Sequence, residues 1–213
     1  MVKIAPAKSK YFHLLLSVPV IFASICLAGF KLKQPTSLAS DSQPKARSAT
    51  EIATTWQHAS FPVENFQTYT SSFGYRKSPI TGKTQFHNGL DLAAPMGSYI
   101  RNWWSGKIVK LSDNTACGTA IFIKSGQWTH FYCHLSGHVQ TNASGTYLLD
   151  REGGIKLKKG QTIEAGARIG RVGMTGRTTG PHLHWGLKYN NKYVDPALVL
   201  EEMYRQQTLT QSQ

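Results

Sequence analysis

Two short clusters of the sequence, His87–Asp91 and His182–His184, hold the side chains best suited to bind a metal ion. Residues two apart on an extended strand project to the same face, so His182 and His184 are expected to point together. His87 and Asp91 are four residues apart, and the intervening Gly89 permits either a tight loop or a helical turn. Either geometry could bring imidazole and carboxylate to one ion. Both groups are zinc ligands, so the clusters predict a hydrolytic metal centre with one spare imidazole.

The elements that must position these residues are predicted to be β-strands. Short β-branched and aromatic runs separated by Gly, Asn and Ser turns extend from about residue 56 to residue 200 and are typical of an all-β domain. The clearest predicted strands are Gly106–Leu111, Ala120–Lys124, Thr129–Leu135, Arg168–Val172 and His182–Tyr189. A short C-terminal helix is predicted from Pro196 to Tyr204. The polar, turn-rich segment from His138 to Lys159 is predicted to be a long surface loop.

The N-terminal region differs from this domain in composition. Three lysines precede an apolar run from Phe12 to Phe30, whose length suits either an export signal or an inner-membrane anchor. Residues 31–55 lack aromatic residues and are rich in Ser, Thr, Pro, Gln and Lys, so a flexible linker is predicted there. The expected organisation is therefore a signal or anchor at 1–30, a linker at 31–55, one domain at 56–200 and a tail at 201–213. The domain is expected in the cell envelope, either in the periplasm or outside the cell.

Export also bears on the two cysteines of the predicted domain. Cys117 and Cys133 would lie in a compartment where a disulfide persists. A hairpin that turns near Ser125 would place them roughly opposite each other, within the separation that a disulfide needs. Two buried free thiols are the alternative.

The charge of the chain favours anionic partners. Its 24 basic and 11 acidic residues give a formal net charge of +13. Without the first 28 residues the chain loses three lysines and no acid, which leaves 21 basic against 11 acidic residues and a net charge of +10. Acidic wall polymers or phospholipid headgroups are suitable partners in the envelope, whereas no nucleic acid is expected there.

The order of the motifs resembles that of the lysostaphin/LytM-type zinc endopeptidases, which hydrolyse the peptide cross-links of bacterial peptidoglycan. The resemblance spans about residues 60 to 198 and is carried by Ser71–Arg76, His87–Pro95, Tyr132–Ser136 and Gly176–His184. It implies an antiparallel β-domain with a groove. It also implies one zinc ion per chain, held by His87, Asp91 and His184. His134 and His182 would lie beside the zinc without binding it.

The chemistry of amide hydrolysis agrees with these roles. Three protein ligands leave one position for water, which histidines can help to deprotonate. The chain has no H-E-x-x-H motif and so lacks its glutamate base. His134 is therefore expected to be the leading general base, coupled to His182. His130 would share a strand face with His134, so it is expected to be either a structural residue or a groove residue.

Several questions are left open by the sequence. A domain of this type could instead bind and activate a separate cell-wall amidase or another envelope protein. A non-haem iron oxygenase also uses two histidines and a carboxylate, but commonly with H-x-D spacing. Large aromatic side chains in a small β-domain usually fill its core, and of the adjacent Trp103 and Trp104 the one that faces outward is the better candidate for contact with substrate or a partner. The peptide bond that is cut, the oligomeric state and inhibition by the linker, for example through Asp41, are not determined.

Overall fold

The computed structural model describes residues 56–78 and 80–211, and this part of the chain folds into antiparallel β-sheets with a C-terminal helix. The predicted fold class is confirmed. The predicted signal or anchor at 1–30 and the predicted linker at 31–55 lie outside the described residues. Within the described ranges, no helix has both the length and the apolar character needed to cross a bilayer.

The main sheet has eight antiparallel strands, numbered here in chain order. Their spatial order is β1 (Thr68–Ser71), β4 (Leu90–Ala93), β14 (His182–Tyr189), β8 (Trp128–Leu135), β7 (Thr119–Ser125), β6 (Gly106–Ser112) and β12 (Thr162–Ile163), and β15 (Lys192–Val194) pairs with β14. The central strands are rich in β-branched and aromatic residues, which suit a pleated surface, and β8 and β14 are buried on both faces for most of their length. This sheet therefore supplies a rigid floor beneath the metal-ligand candidates.

Three smaller antiparallel sheets flank the main one. They are β2 (Gly74–Lys77) with β3 (Thr84–His87), β5 (Tyr99–Arg101) with β13 (Arg168–Arg171), and β9 (His138–Asn142) with β10 (Gly145–Asp150) and β11 (Ile155–Lys158). The last of these corrects a prediction, because the segment from His138 to Lys159 is not a long loop. Its polar turns join three strands, in which Leu148 of β10 is buried and Leu157 of β11, which alternates with lysines, is buried as well.

The hydrophobic core is continuous and contains large side chains from most of these strands. Its largest fully buried members include Trp103, Trp185, Tyr132, Leu92 and Ile100. Both neighbouring tryptophans contact the core, since Trp104 is partly buried against it. Neither tryptophan lines the cleft described below, so the expectation that one of them contacts substrate has no support there.

The C-terminal helix, α1 (Pro196–Gln211), begins where the sequence predicted but extends beyond Tyr204. The carboxylate of Asp195 accepts a hydrogen bond from the Ala197 backbone N–H at 2.9 Å and so caps the first turn. Near the other end, the buried Gln206 side chain accepts a hydrogen bond from the Trp56 N–H at 2.9 Å. The helix thus continues through the segment predicted to be a tail and is held to the start of the described chain.

Candidate metal centre

Strand pairing brings the first two candidate ligands together. β14 lies beside β4 in the main sheet, and the register sets His184 directly opposite Asp91. His87 reaches the same point from β3, which belongs to a different sheet. The turn between β3 and β4 contains Gly89, where an added Cβ would lie 2.6 Å from the Trp185 carbonyl oxygen and 2.7 Å from His184 Cε1. Only glycine allows this close approach, which is a second role for the residue besides flexibility.

Three potential ligand atoms converge at this point. His184 Nδ1 lies 2.8 Å from Asp91 Oδ1, His87 Nε2 lies 3.1 Å from the same oxygen, and the two nitrogens are 3.0 Å apart. All three residues are buried. Ligand atoms of a tetrahedral zinc ion with bonds of about 2.0–2.1 Å are about 3.3 Å apart. The spacing of these atoms is therefore close to what a zinc ion needs.

The hydrogen bonds of the two imidazoles determine where their lone pairs point. His87 Nδ1 lies 2.8 Å from the Ser72 carbonyl oxygen, which can only accept, so Nδ1 carries the proton and Nε2 the lone pair. His184 Nε2 lies 3.1 Å from Asn88 Oδ1 and donates to it, which leaves the lone pair on Nδ1. Two nitrogen lone pairs and a carboxylate oxygen thus face one another. Such atoms repel unless a positive charge, either a shared proton or a metal ion, lies between them, so the donor set fits a metal ion.

The protonation states also suit metal binding. Burial raises the pKa of the Asp91 carboxyl, but its contacts with His184 and His87 outweigh burial and hold the pKa well below its usual range. Arg76 adds a positive charge 3.7 Å from Asp91 Oδ2. Burial lowers the pKa of His184, so its imidazole is neutral near neutral pH. An ionised carboxylate and a neutral imidazole are the forms that bind a metal.

His134 reaches this site through a β-bulge at the end of β8. Tyr132 and Leu135 pair with Ile121 and Thr119 of β7, so two residues of β8 face one residue of β7 between these pairs. His134 is one of these two, and it adopts a left-handed backbone conformation with φ of 62°. Its backbone N–H donates to the Cys117 carbonyl oxygen at 2.8 Å, which supports this otherwise unfavourable conformation. The bulge turns the His134 ring into the cleft.

His134 and His182 lie side by side, with ring centroids 4.9 Å apart. His134 Nδ1 donates to the Thr175 carbonyl oxygen at 2.8 Å, and His182 Nδ1 donates to that of Gly180 at 2.9 Å. In the neutral imidazoles each Nε2 is therefore free to accept a proton. Burial lowers the pKa of His134 to about 4, so it is a neutral base near pH 7. His182 Nε2 lies 3.6 Å from Asp91 Oδ1, which places it at the edge of the candidate metal site.

His130 lies in the core and not in the cleft. It is fully buried, with Nδ1 2.8 Å from the Tyr132 hydroxyl and Nε2 2.9 Å from the Ser125 hydroxyl. Its ring also contacts Trp103, with centroids 5.5 Å apart. The groove alternative for His130 is wrong because the bulge reverses the side to which His134 points. The structural alternative is confirmed.

Cys117 and Cys133 are joined by a disulfide, with Cα atoms 4.9 Å apart. Of the two alternatives left open by the sequence, the structure has the disulfide and not the free thiols. Cys117 lines the cleft, and Cys133 directly precedes His134 on β8. The disulfide thus connects a wall of the cleft to the strand that presents His134.

The histidines open into a cleft of about 470 Å³. Arg76, Arg177 and Lys188 line it, whereas Asp91 is the one acidic residue in this described lining. Four aromatic side chains complete its walls: Phe86, Phe122, Phe131 and Tyr193. Sequence reasoning missed these four. Phe86 could have been found because it directly precedes His87, but Tyr193 approaches the site only through the pairing of β15 with β14.

Comparisons with known proteins identify related chains. The sequence model of the protein family described as Peptidase family M23 matches residues 85–196. Over 138 residues the chain is 32% identical to Peptidoglycan DD-endopeptidase ShyB of Vibrio cholerae serotype O1. This match covers 63% of this chain and 28% of that protein. A zinc containing peptidase from Vibrio cholerae has a similar structure, with a TM-score of 0.52 and 32% identity, covering 63% of this chain and 37% of that one.

The catalytic domain of lysostaphin from Staphylococcus simulans is also similar in structure. Its TM-score is 0.50 and its identity 26%, and the match covers 63% of this chain and 92% of that domain. By contrast, the chain spans less than a third of the length of the curated relatives that it matches first.

Proposed function

Because the chain belongs to peptidase family M23, whose model matches just over half of it, we propose that it is a zinc-dependent endopeptidase that hydrolyses peptide cross-links of bacterial peptidoglycan. The observation that carries the proposal is the convergence of three lone-pair atoms beside two histidines with free Nε2 atoms. A regulatory module for an amidase is not favoured, because all five positions needed for hydrolysis hold suitable residues.

In this proposal His87 Nε2, Asp91 Oδ1 and His184 Nδ1 hold one zinc ion per chain. When bound, zinc supplies a Lewis acid that polarises the scissile carbonyl and lowers the pKa of water to about 7. The hydrogen bond to the Ser72 carbonyl keeps the His87 imidazole in the required tautomer. The ligand atoms need little rearrangement, since they already lie about as far apart as a tetrahedral site requires.

His134 acts as the leading general base. Its Nδ1–H is held by the Thr175 carbonyl, so Nε2 is the atom that accepts a proton from the attacking water. The resulting imidazolium stays next to His182 and can return the proton to the leaving amine.

The charge of the cleft supports peptidoglycan stem peptides as the substrate. Arg76, Arg177 and Lys188 line the cleft, and the carboxylate of Asp91 contacts the other candidate ligands rather than these cations alone. Carboxylates that flank the scissile bond of a stem peptide would be attracted to these cations. Relatives named as peptidoglycan DD-endopeptidases agree with this substrate. The proposed location is the cell envelope, with residues 1–30 as an export signal or inner-membrane anchor.

The test is cleavage of isolated sacculi by the purified chain from residue 31 onward. We expect cross-linked muropeptides to decrease and their shorter products to appear. A chelator should stop this release, and added zinc should restore it. Release of the same products in the presence of chelator would contradict the proposal.

A further inference from the structure

The second nitrogen of His184 contacts a polar pair that the hydrolytic roles do not use. Asn88 Oδ1 lies 3.1 Å from His184 Nε2, and Asn88 Nδ2 donates to the Tyr193 hydroxyl at 3.2 Å. Asn88 lies between the ligand candidates His87 and Asp91 in the chain, in the turn from β3 to β4. Tyr193 lies on β15, more than a hundred residues away, and reaches the turn through the pairing of β15 with β14.

This arrangement decides which nitrogen of His184 is available to a metal. A neutral imidazole has one N–H and one lone pair. If Nε2 donates to Asn88 Oδ1, the lone pair is on Nδ1 and points at His87 Nε2 and Asp91 Oδ1. With the opposite tautomer, an N–H would point into the cluster and prevent Nδ1 from binding a metal.

The position of Tyr193 is itself held by packing. Its ring lies between Phe86 and Phe131, with centroid distances of 6.1 and 6.3 Å, and Lys188 Nζ lies 4.4 Å from the ring centroid. The hydroxyl therefore has a defined place, even though the residue is 41% exposed. When it accepts from Asn88 Nδ2, the amide oxygen is turned toward His184.

We propose that Asn88, anchored by Tyr193, is a positioning residue that fixes the His184 tautomer and orientation needed for metal binding. The inference rests on the proposed function, since it assumes that His184 Nδ1 is a zinc ligand. Partners of this kind orient ligating histidines and increase their basicity, and their loss typically weakens metal binding by about 10- to 100-fold.

The first test compares Asn88→Leu with Asn88→Asp. Leucine has a similar size but cannot accept a hydrogen bond, whereas aspartate keeps an acceptor oxygen for His184 Nε2. We expect Asn88→Leu to raise the zinc Kd, measured by competition with a chromophoric chelator, by about 10- to 100-fold. Asn88→Asp should bind zinc at least as tightly as the wild type. Unchanged affinity in the leucine variant, or equal weakening in both variants, would overturn the inference.

A second pair of variants tests the anchor. Tyr193→Phe removes the hydroxyl while keeping the ring, and we expect the zinc Kd to rise severalfold. The matched control is Tyr189→Phe, because Tyr189 lies at the turn of the same β14–β15 hairpin, donates its hydroxyl to Gln127 and is not part of the cleft lining. An unchanged Kd for Tyr193→Phe, or the same rise for the control, would remove Tyr193 from the inference. Circular dichroism of each metal-free chain reports whether the variants keep the fold.

The outcome is separable from that of the proposed function. Zinc content and sacculus cleavage are measured on the same wild-type preparation. Zinc binding without any cleavage would contradict the proposed endopeptidase, yet the ranking of Kd values would still test Asn88. Metal-dependent cleavage with wild-type zinc affinity in Asn88→Leu would leave the enzyme proposal intact and overturn the positioning role.

Discussion

The reactivity of each histidine in the cleft depends on which ring nitrogen carries the proton. All four of those in its lining donate one N–H to an oxygen of the surrounding protein: His87 to Ser72, His134 to Thr175, His182 to Gly180 and His184 to Asn88. Three of the four acceptors are backbone carbonyls, which cannot reverse their role. The remaining nitrogens are thereby free for metal binding or for proton transfer.

Replacement of His134 should separate metal binding from catalysis. In His134→Ala the three candidate ligands remain, so we expect about one zinc per chain, as in the wild type. Loss of the general base should lower the rate of sacculus cleavage by about 10²- to 10⁴-fold. Metal analysis and muropeptide release on one preparation measure both quantities. The exposed histidine control, His58→Ala, should cleave normally, and loss of zinc from His134→Ala would contradict the assigned role.

Burial of His130 predicts how stability depends on pH. Burial lowers the pKa of His130 to about 3, below the value of about 6.5 expected in the unfolded chain. Its contribution is therefore fully present above the unfolded pKa and is lost as the pH falls. Between about pH 6 and about pH 4, this one group should reduce the free energy of unfolding by about 1.4 kcal/mol per pH unit.

Substitution of His130 checks this linkage. We expect the free energy of unfolding of His130→Gln, measured with denaturant, to depend less steeply on pH than that of the wild type. The difference in slope should be about 1.4 kcal/mol per pH unit, whatever the stability of the variant at neutral pH. Release of any bound metal by acid affects both chains and cancels in the difference. An unchanged slope in His130→Gln would contradict the buried neutral state.

At the scale of secondary structure, the end of β8 combines three features that hold His134. These are the bulge opposite β7, the Cys117–Cys133 disulfide and the hydrogen bond from the His134 N–H to the Cys117 carbonyl. The segment containing Cys117 in turn contacts the loop that contains Arg177, since the Arg177 N–H donates to the Ala116 carbonyl at 2.9 Å. The ligand candidates lie on other strands, so this unit should affect catalysis more than metal binding.

Removal of the disulfide tests that separation. For the double variant Cys117→Ser, Cys133→Ser, a loop of this length predicts a loss of about 3 kcal/mol in the free energy of unfolding. We also expect kcat to fall by about tenfold or more because the His134 ring is less well positioned. The zinc Kd should remain close to that of the wild type. A lower unfolding midpoint with unchanged kcat would mean that the disulfide is only a structural cross-link.

At the scale of the whole molecule, only some of the basic residues that the structure describes have an acidic partner. Arginines pair with several carboxylates of the described chain: Arg101 and Arg168 with Glu64, Arg171 with Asp150 and Glu152, and Arg205 with Glu202. The chain still has 24 basic against 11 acidic residues. The unpaired positive charge should attract an anionic polymer over distances longer than a hydrogen bond.

This charge predicts that cleavage depends on salt. Raising the ionic strength from about 0.05 to about 0.3 M shortens the range of electrostatic attraction. The rate on intact sacculi should therefore fall several-fold, mainly through a higher apparent KM. A small uncharged peptide substrate serves as the control, and its rate should change little. Equal salt dependence for both substrates would show that the surface charge does not guide binding.

Local sequence patterns determined the fold class and most central strands. The predicted strand His182–Tyr189 has the bounds of β14, and the predicted strands at Ala120–Lys124 and Thr129–Leu135 are each extended by one or two residues. Alternation along one strand depends only on neighbours in the chain, so the common face of His182 and His184 could be predicted. The strands at His138–Lys158 were missed because turn residues hid a short alternating pattern.

Only the tertiary structure decided how the strands combine into a site. Alternation predicted that His130 and His134 share a face, but one extra residue in β8 sends His134 to the cleft and leaves His130 in the core. His87 and Asp91 come from different sheets and meet His184 through strand register. Tyr193 approaches the same site from an edge strand. Bulges, register and edge pairing depend on partner strands distant in sequence, so residue types identified the chemistry, whereas long-range pairing determined its geometry.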